Sequence, residues 1–355
     1  MVGGGIVGTA VAAALVGDGW SVSLYDRGPV FGETSSKAAG LLGFEAEARD
    51  LGYPRWLDEA RDLWEPWVRD LEARSGLGSG FGRIGILHPV SNASDLAARR
   101  GRAVEVLNAS DFDWRSRYHR DLAGGLFLKT DARIDPRLLG EVIEDALPRM
   151  GVDVHASDGV CALMQEGARV VGIQSASGSH PADLVVLATG FSTSPLIEPL
   201  GWSLPVKPVR GQVVALERPD WWPGYTIQTE DWYAIPRDNG SLVVGSTWEE
   251  DVWEARSTLQ GVLDIGRRML AVFPDLAGQP VRGTWAGLRP VSEDDEPYIG
   301  PLPGVAGLLI AVGHGHHGLM LAPWTGRLVA AMAQGVHQPE WDAYAPARAS
   351  QSQTS

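Results

Sequence analysis

The sequence predicts an α/β protein in which a nucleotide-binding domain is interrupted by a second domain built on a mixed or antiparallel sheet. The chain opens on a glycine-rich loop, an Ala-rich helix and a strand, which is most of a βαβ unit. Closely spaced β-type segments follow over residues 206–246. Strand and helix patterns then alternate again to a last helix after Gly318. The 355 residues suffice for two domains with a substantial core.

Hydrophobic periodicity and capping signals place the individual elements. Asp135 is positioned to cap a helix that begins at Pro136. Helices are also predicted at 56–71, 259–273 and after Gly318, and strands at 20–25, 84–89, 152–156, 160–164, 170–175, 184–189, 206–216, 232–236, 242–246, 281–285 and 308–312. The predicted nucleotide-binding domain comprises residues 1–80, 126–205 and 281–340, the second domain 81–125 and 206–280, and the tail 341–355.

Composition excludes several classes of partner. The net charge of −14 argues against nucleic acid and against a polybasic contact with anionic membrane. The apolar stretch 1–16 is too short to span a bilayer and lacks the basic residue of a secretory signal. The single cysteine, Cys161, rules out an internal disulfide and makes the cytoplasm the default location. It lies within a predicted hairpin strand, where we expect a small core residue.

Gly3, Gly5 and Gly8 have the G-x-G-x-x-G spacing of a dinucleotide-binding loop. The first allows a tight turn, the second a close approach to a pyrophosphate, and the third close packing of helix and strand. The helix N-terminus then offers N–H groups to phosphates. Asp26 ends the next strand, where an acid can bind a ribose hydroxyl. A glycine-rich turn without nucleotide is the alternative, and the loop alone does not distinguish NAD from FAD.

The strand that should lead into this loop is reduced to Met1 and Val2, although strands usually run to about five residues. Such a strand lies at the centre of a nucleotide-binding sheet. We therefore expect either that the true start lies upstream or that cofactor binding is impaired, and we favour the upstream start.

Further segments occur in a characteristic order: TSSKAAGLL at 34–42, ATG at 188–190, VRGQ at 209–212, WAGLRP at 285–290 and GHGHHG at 313–318. With the first loop, they make the chain resemble the D-amino-acid-oxidase-like flavoprotein family from Gly3 to about Ala333, most closely its glycine oxidases, which serve thiamine biosynthesis. The resemblance implies FAD, a glutathione-reductase-like Rossmann domain and an interleaved α+β substrate domain. It also allows a homo-oligomer, by analogy only.

The resemblance also implies where the cofactor is contacted. Asp26 and Arg27 would hold the AMP ribose, Thr34 and Ser35 the phosphate side, and the Val160 backbone the adenine. The other contacts implied are Gly3, Gly5, Ile6, Val7 and Gly8 in the loop, Ala39, Gly40 and Leu41 along the isoalloxazine, Gly190, and His314, Gly315, His316, His317, Gly318, Leu319 and Met320 around the pyrimidine end.

Arg289 follows an apolar strand, where a guanidinium suits bidentate capture of a carboxylate. A structural ion pair is the alternative, and the resemblance favours the carboxylate. Tyr233 matches a family tyrosine that supports the same carboxylate, with a half-buried core tyrosine as the alternative. The implied reaction passes a hydride from Cα of a small amino acid to flavin N5. The imine then hydrolyses to a keto acid and ammonia, and O2 is converted to H2O2.

Three departures from the family pattern bear on the substrate. His316 and His317 stand where glycine oxidases usually carry Arg-Asn, and Trp248 stands where close relatives carry a methionine. We predict that His316 tunes substrate binding and that Trp248 narrows the pocket. Lys37 replaces a small residue without an assignable role. The histidines of 314–317 lack an acid or cysteine at ligand spacing, so no metal is predicted.

Three rival functions remain open at this stage. A dehydrogenase of the same family would pass electrons to a quinone or carrier instead of oxygen. A flavin-poor, non-catalytic paralogue would explain the short first strand and the lost Arg-Asn pair. NAD-dependent dehydrogenation is disfavoured by the segments at 39–41 and 313–318.

Overall fold

The computed structural model describes residues 1–44, 56–98 and 105–350. Within these ranges the helices are Ile6–Gly17, Thr34–Lys37, Trp56–Ser75, Ala93–Ala98, Pro136–Met150, Ser194–Ile197, Leu259–Leu270 and Gly318–Ala333. The strands are Ser23–Tyr25, Leu41–Leu42, Ile86–Val90, Glu105–Asn108, Gly124–Leu128, Ala132–Arg133, Asp153–His155, Val160–Glu166, Arg169–Ser175, Gly178–Pro181, Val185–Leu187, Val206–Glu217, Thr226–Gln228, Tyr233–Pro236, Ser241–Gly245, Glu249–Glu250, Val281–Ser292, Tyr298–Pro301 and Leu308–Val312. The last part of the predicted tail, residues 351–355, lies outside the described residues.

A mainly parallel sheet carries the glycine-rich loop. Ser23–Tyr25 pairs in parallel with Asp153–His155, and Val185–Leu187 pairs in parallel with Leu308–Val312. Val2 lies between the two pairs, because it forms parallel bridges to Tyr25 and Leu187. Strands Val185–Leu187 and Leu308–Val312 are buried on both faces, as is usual for parallel sheets. Helices Ile6–Gly17 and Gly318–Ala333 pack together over one face.

A second, mixed sheet contains nine of the described strands. Its longest pair joins Val206–Glu217 to Val281–Ser292 in antiparallel register. Thr226–Gln228 pairs in parallel with Ile86–Val90, which makes the sheet mixed. Helix Leu259–Leu270 covers one face of this sheet through Ile265 and Met269. The sheet confirms that β-rich segments interrupt the mainly parallel one, while the division into domains and the glutathione-reductase-like description remain predictions.

The helix predicted after Asp135 illustrates how local signals act. It runs over Pro136–Met150, and the Asp135 carboxylate accepts a hydrogen bond from the Arg137 N–H at 3.1 Å. Gly151 follows in a left-handed conformation and ends the helix. The predicted strand 281–285 is longer than expected, because its partner Val206–Glu217 continues the pairing to Ser292.

The expectation for Cys161 was wrong. It is exposed, although it lies on the predicted strand, now Val160–Glu166. The pairing of that strand with Arg169–Ser175 shifts register between Val160 and Ala162, and no residue of Val160–Glu166 is buried, so no second layer covers Cys161. The Cys161 Sγ contacts the Gln174 carbonyl oxygen at 3.4 Å.

Candidate functional site

A cavity of about 1220 Å³ is lined by residues of both sheets. The site residues that the sequence predicts all line this cavity, with one exception. They are Gly3, Gly5, Ile6, Val7, Asp26, Arg27, Thr34, Ser35, Ala39, Gly40, Leu41, Val160, Gly190, Tyr233, Trp248, Arg289, His314, Gly315, His316, His317, Gly318, Leu319 and Met320.

Gly8 is the exception, and the reason is its place behind the loop. A Cβ atom there would lie 1.9 Å from the Gly3 carbonyl oxygen, so Gly8 allows the helix to pack against the loop. Gly3 has φ of +98°, and a Cβ atom there would lie 2.4 Å from the Ala188 carbonyl oxygen. These two positions therefore require glycine, as the dinucleotide motif demands.

The first turn of helix Ile6–Gly17 faces one end of the cavity. Its N-cap, Gly5, provides no side-chain cap, and the first turn contains no acidic residue. The Ile6 N–H donates to the Ser35 Oγ at 2.8 Å. Ile6 and Val7 both line the cavity. The helix N-terminus can therefore stabilise an anion such as a pyrophosphate.

The Asp26 carboxylate holds the backbone around it. One oxygen accepts the Gly4 N–H at 2.6 Å and the other accepts the Gly28 N–H at 2.8 Å. Arg27 forms an exposed ion pair with Glu33 at 2.7 Å. Both predicted ribose contacts thus lie at this end of the cavity, and Asp26 also fixes the shape of the loop.

The cavity-lining segment Ala39–Leu41 is held from behind by Arg237, which the sequence analysis missed. Arg237 is 3% exposed and donates to the carbonyl oxygens of Ala39 and Ile134. Burial lowers the pKa of Arg237 to about 10, an effect that Asp135 at 4.0 Å opposes. A charged residue directly after the apolar strand Tyr233–Pro236 is the signal that could have revealed it.

His314 lies at the start of the cavity-lining segment 314–320. It is 3% exposed, and its Nε2 is 3.0 Å from the Thr325 Oγ1 in the following helix. Burial, and secondarily the nearby His317, lower the pKa of His314 to about 3, so the ring is neutral near neutral pH. Among the described residues, no group of three or more His, Cys, Asp or Glu side chains is arranged to hold a metal ion.

Arg289, Tyr233, Trp248 and His316 meet in one corner of the cavity. The Arg289 Nη2 donates to the Ser246 Oγ at 2.9 Å, and its Nη1 donates to the Thr247 carbonyl oxygen at 3.3 Å. Its Cζ lies 5.3 Å from the centre of the Trp248 ring, and that ring is 6.0 Å from the His316 ring.

The charge of Arg289 is not balanced by the protein within the described chain, because none of its described ion pairs or hydrogen bonds is to a carboxylate. Burial lowers its pKa, and Tyr233 opposes that shift. The pKa of Tyr233 is raised, because the effect of burial outweighs the opposing effect of the Arg289 charge. The phenol therefore stays protonated. A half-buried cation beside a neutral hydroxyl can bind a carboxylate from a ligand.

Lys37 also lines the cavity, and its ammonium forms no ion pair among the described residues. Its Cβ would be 2.8 Å from a Cβ atom added at Gly287, two residues before Arg289. The Trp285 Nε1–H donates to the Lys37 carbonyl oxygen at 2.9 Å. Lys37 therefore packs over the strand that carries Arg289.

A family profile described as FAD dependent oxidoreductase matches residues 1–332. The chain belongs to this family. FAD is therefore the cofactor, and the family expected from the sequence is confirmed. The cradle around Gly3 and Gly8 and the uncapped helix N-terminus fit this cofactor. No helix among the described residues is long and apolar enough to cross a membrane.

Glycine oxidases are among the similar proteins. The chain is 28% identical to glycine oxidase of Bacillus subtilis over 93% of this chain and 90% of that protein. It is 30% identical to glycine oxidase of Pseudomonas putida over 91% of this chain and 90% of that protein.

Solved structures share the fold over nearly the whole chain. Glycine oxidase from Geobacillus kaustophilus matches with a TM-score of 0.85 and 24% identity, over 97% of this chain and 96% of that one. Iminodiacetate oxidase from Chelativorans sp. BNC1 matches with a TM-score of 0.85 and 25% identity, over 97% of this chain and 98% of that one.

Proposed function

We propose that this protein oxidises the Cα–N bond of glycine or of another small D- or N-methyl amino acid. The observation that carries the proposal is the cavity corner in which Arg289 pairs with no carboxylate of the described residues, while Tyr233 and Trp248 lie beside it. The similarity to proteins named glycine oxidase supports the same substrate class.

The chain's residues would hold FAD along the length of the cavity. The helix that starts at Ile6 would face the pyrophosphate, and Ala39–Leu41 with His314–Met320 would surround the isoalloxazine. When bound, FAD supplies the electron acceptor for oxidation of the Cα–N bond.

Arg289 would bind the substrate carboxylate through both terminal guanidinium nitrogens, and the protonated Tyr233 would donate a hydrogen bond to the same carboxylate. Fixing the carboxylate orients Cα, which is the main contribution that side chains make to such a reaction. Trp248 and His316 would close the corner and limit water. The imine product would then hydrolyse to a keto acid and ammonia, or to a keto acid and methylamine where the substrate is an N-methyl amino acid.

Oxygen as the electron acceptor is part of the proposal, with hydrogen peroxide as the product. Peroxide formed under air in proportion to substrate consumed would support an oxidase. Substrate-dependent reduction of a quinone analogue without peroxide would instead favour a dehydrogenase. The cytoplasmic location and a homo-oligomeric state remain predictions.

The experiment that tests the function is an absorbance spectrum of the purified protein before and after anaerobic addition of glycine. Flavin bands that bleach with glycine would support both the reaction and the substrate. Bleaching by sarcosine or a small D-amino acid alone would move the substrate within the proposed class. Bands that none of these compounds bleaches would refute amino-acid oxidation, and a colourless protein would favour a flavin-poor paralogue.

A further inference from the structure

The guanidinium of Arg289 rests on a glycine of the neighbouring strand. A Cβ atom added at Gly211 would lie 2.3 Å from both Nη atoms of Arg289 and 2.4 Å from its Cζ. The end of the guanidinium therefore occupies the space into which a side chain at Gly211 would project. Any larger residue at this position would therefore displace the end of the Arg289 side chain.

A turn over residues 246–248 contacts the same guanidinium. Ser246 accepts a hydrogen bond through its hydroxyl, Thr247 accepts one through its carbonyl oxygen, and Trp248 presents its ring. Gly211 and this turn together determine where the guanidinium points. The orientation of Arg289 thus depends on how firmly the turn is held.

Gln212 holds the turn to the strand. It is 0% exposed, and its backbone N–H donates to the Thr247 Oγ1 at 2.9 Å. Its side-chain Nε2 donates to the Glu249 Oε1 at 2.6 Å, and its Oε1 accepts the Thr258 N–H at 2.7 Å. One buried amide therefore connects the strand, the turn and the start of helix Leu259–Leu270.

Glu249 completes the network. The Thr247 Oγ1–H donates to the Glu249 Oε1 at 2.6 Å, and Arg210 pairs with the Glu249 carboxylate. Burial opposes ionisation of Glu249, but hydrogen bonds from Arg210, Thr247 and Gln212 hold its pKa below the usual value. Such a network of charged and neutral hydrogen bonds restricts motion of the turn.

We propose that Gly211 and Gln212 are positioning residues for Arg289: Gly211 leaves room for the guanidinium, and Gln212 holds the turn that covers it. The segment VRGQ at 209–212 would then serve the substrate site without contacting the substrate. The inference rests on the proposed function, because it takes Arg289 as the carboxylate-binding group.

Gly211→Ala tests the first half of the proposal. The new methyl group meets only the flexible end of Arg289, so the fold should be retained while the guanidinium moves. Gly283→Ala is the matched control, since Gly283 lies in the partner strand and no heavy atom is within 4 Å of an added Cβ. Both proteins are loaded with FAD and titrated with acetate, with flavin absorbance as the signal.

We expect the acetate Kd of Gly211→Ala to rise by roughly ten- to a hundredfold, the effect of weakening charge-assisted hydrogen bonds. The FAD Kd and the melting temperature should stay at the wild-type values, and Gly283→Ala should match wild type throughout. For glycine, KM should rise more than kcat falls. An unchanged acetate Kd in Gly211→Ala would refute the proposal, as would a wild-type protein that does not bind acetate.

Thr247→Val tests the hydrogen-bond network, with Thr226→Val as a control. Both threonines are buried, Thr226 within the mixed sheet and Thr247 next to it, but the Thr226 hydroxyl forms no hydrogen bond with any part of the chain that the structure describes. Acetate binding should weaken severalfold in Thr247→Val only. Equal weakening in the two variants would contradict a specific role for the network. If acetate binding behaves as expected but no amino acid bleaches the flavin, the proposed oxidation fails while the positioning of Arg289 stands.

Discussion

Arg237, which is buried, and Arg289, which is half-buried, differ in their partners, and the difference favours a structural role for Arg237 and a ligand-binding role for Arg289. Arg237 donates to two carbonyl oxygens and has Asp135 at 4.0 Å. Arg289 donates to one hydroxyl and one carbonyl oxygen, and no described carboxylate pairs with it. Because an uncompensated buried charge is costly, Arg289 gains most from an anionic ligand.

Arg289→Met should therefore raise KM for glycine by roughly a hundredfold or more, since two charge-assisted hydrogen bonds to the carboxylate are lost. Initial-rate kinetics with FAD-saturated protein measure the effect. Arg282→Met is a suitable control, because Arg282 is exposed on the same strand. A variant that kept the wild-type KM would show that Arg289 does not bind the substrate.

Burial of His314 makes stability depend on pH in a defined direction. Its pKa falls from 6.5 to about 3 in the folded protein. Below about pH 6.5, His314 therefore binds a proton in the unfolded chain but not in the folded protein. As a result, the free energy of unfolding falls as the pH falls towards 3.

His314→Gln should remove this contribution while keeping a polar group near Thr325. The stability advantage of wild type over the variant should shrink by about 2 kcal/mol between about pH 7 and about pH 5. Urea unfolding at saturating FAD measures it, with His337→Gln as an exposed control. A difference that stays constant with pH would mean that the pKa of His314 is the same in the folded and the unfolded protein.

At the scale of elements, the segment Ala39–Leu41 is held by parts of the chain that lie far apart in sequence. The Ile134 N–H donates to the Gly40 carbonyl oxygen at 2.9 Å, and Arg237 donates to Ala39. Gly40 has φ of +82°, and a Cβ atom there would lie 2.0 Å from the Ile134 carbonyl oxygen. Strand Tyr233–Pro236 therefore connects Tyr233 in the cavity corner to Arg237 behind the cavity-lining segment Ala39–Leu41.

Arg237→Met should loosen this segment, because two buried carbonyl oxygens lose their donor and Asp135 loses its nearby cation. We expect the free energy of unfolding to fall by about 3 kcal/mol and the FAD Kd to rise by roughly tenfold or more. Titration of apoprotein with FAD, followed by flavin fluorescence, measures the second effect. Loss of stability without any change in FAD affinity would show that Arg237 does not support FAD binding through the segment Ala39–Leu41.

At the scale of the whole molecule, the sequence predicted those features that depend on neighbouring residues. The Asp135–Pro136 cap, the glycine spacing at 3–8 and the order of the family segments are local, and they led to the helix, the loop and FAD. The parallel pairing of Thr226–Gln228 with Ile86–Val90 joins residues about 140 positions apart, which no periodicity reveals. The contacts of Gln212 and Arg237 likewise exist only after the sheets have formed.

Because residues of both sheets line the cavity, FAD should stabilise the two sheets together. A ligand that binds only the folded protein adds about 2.7 kcal/mol at a hundredfold excess over its Kd. Removing FAD should therefore lower the melting temperature by several degrees, and restoring it should recover the loss. Far-ultraviolet circular dichroism and tryptophan fluorescence should report one shared transition at saturating FAD, since Trp64 packs beside the parallel sheet and Trp222 beside the mixed one. If the melting curve split into two transitions and FAD shifted only one of them, the cofactor would stabilise one sheet alone, and the cavity between them would not be its site.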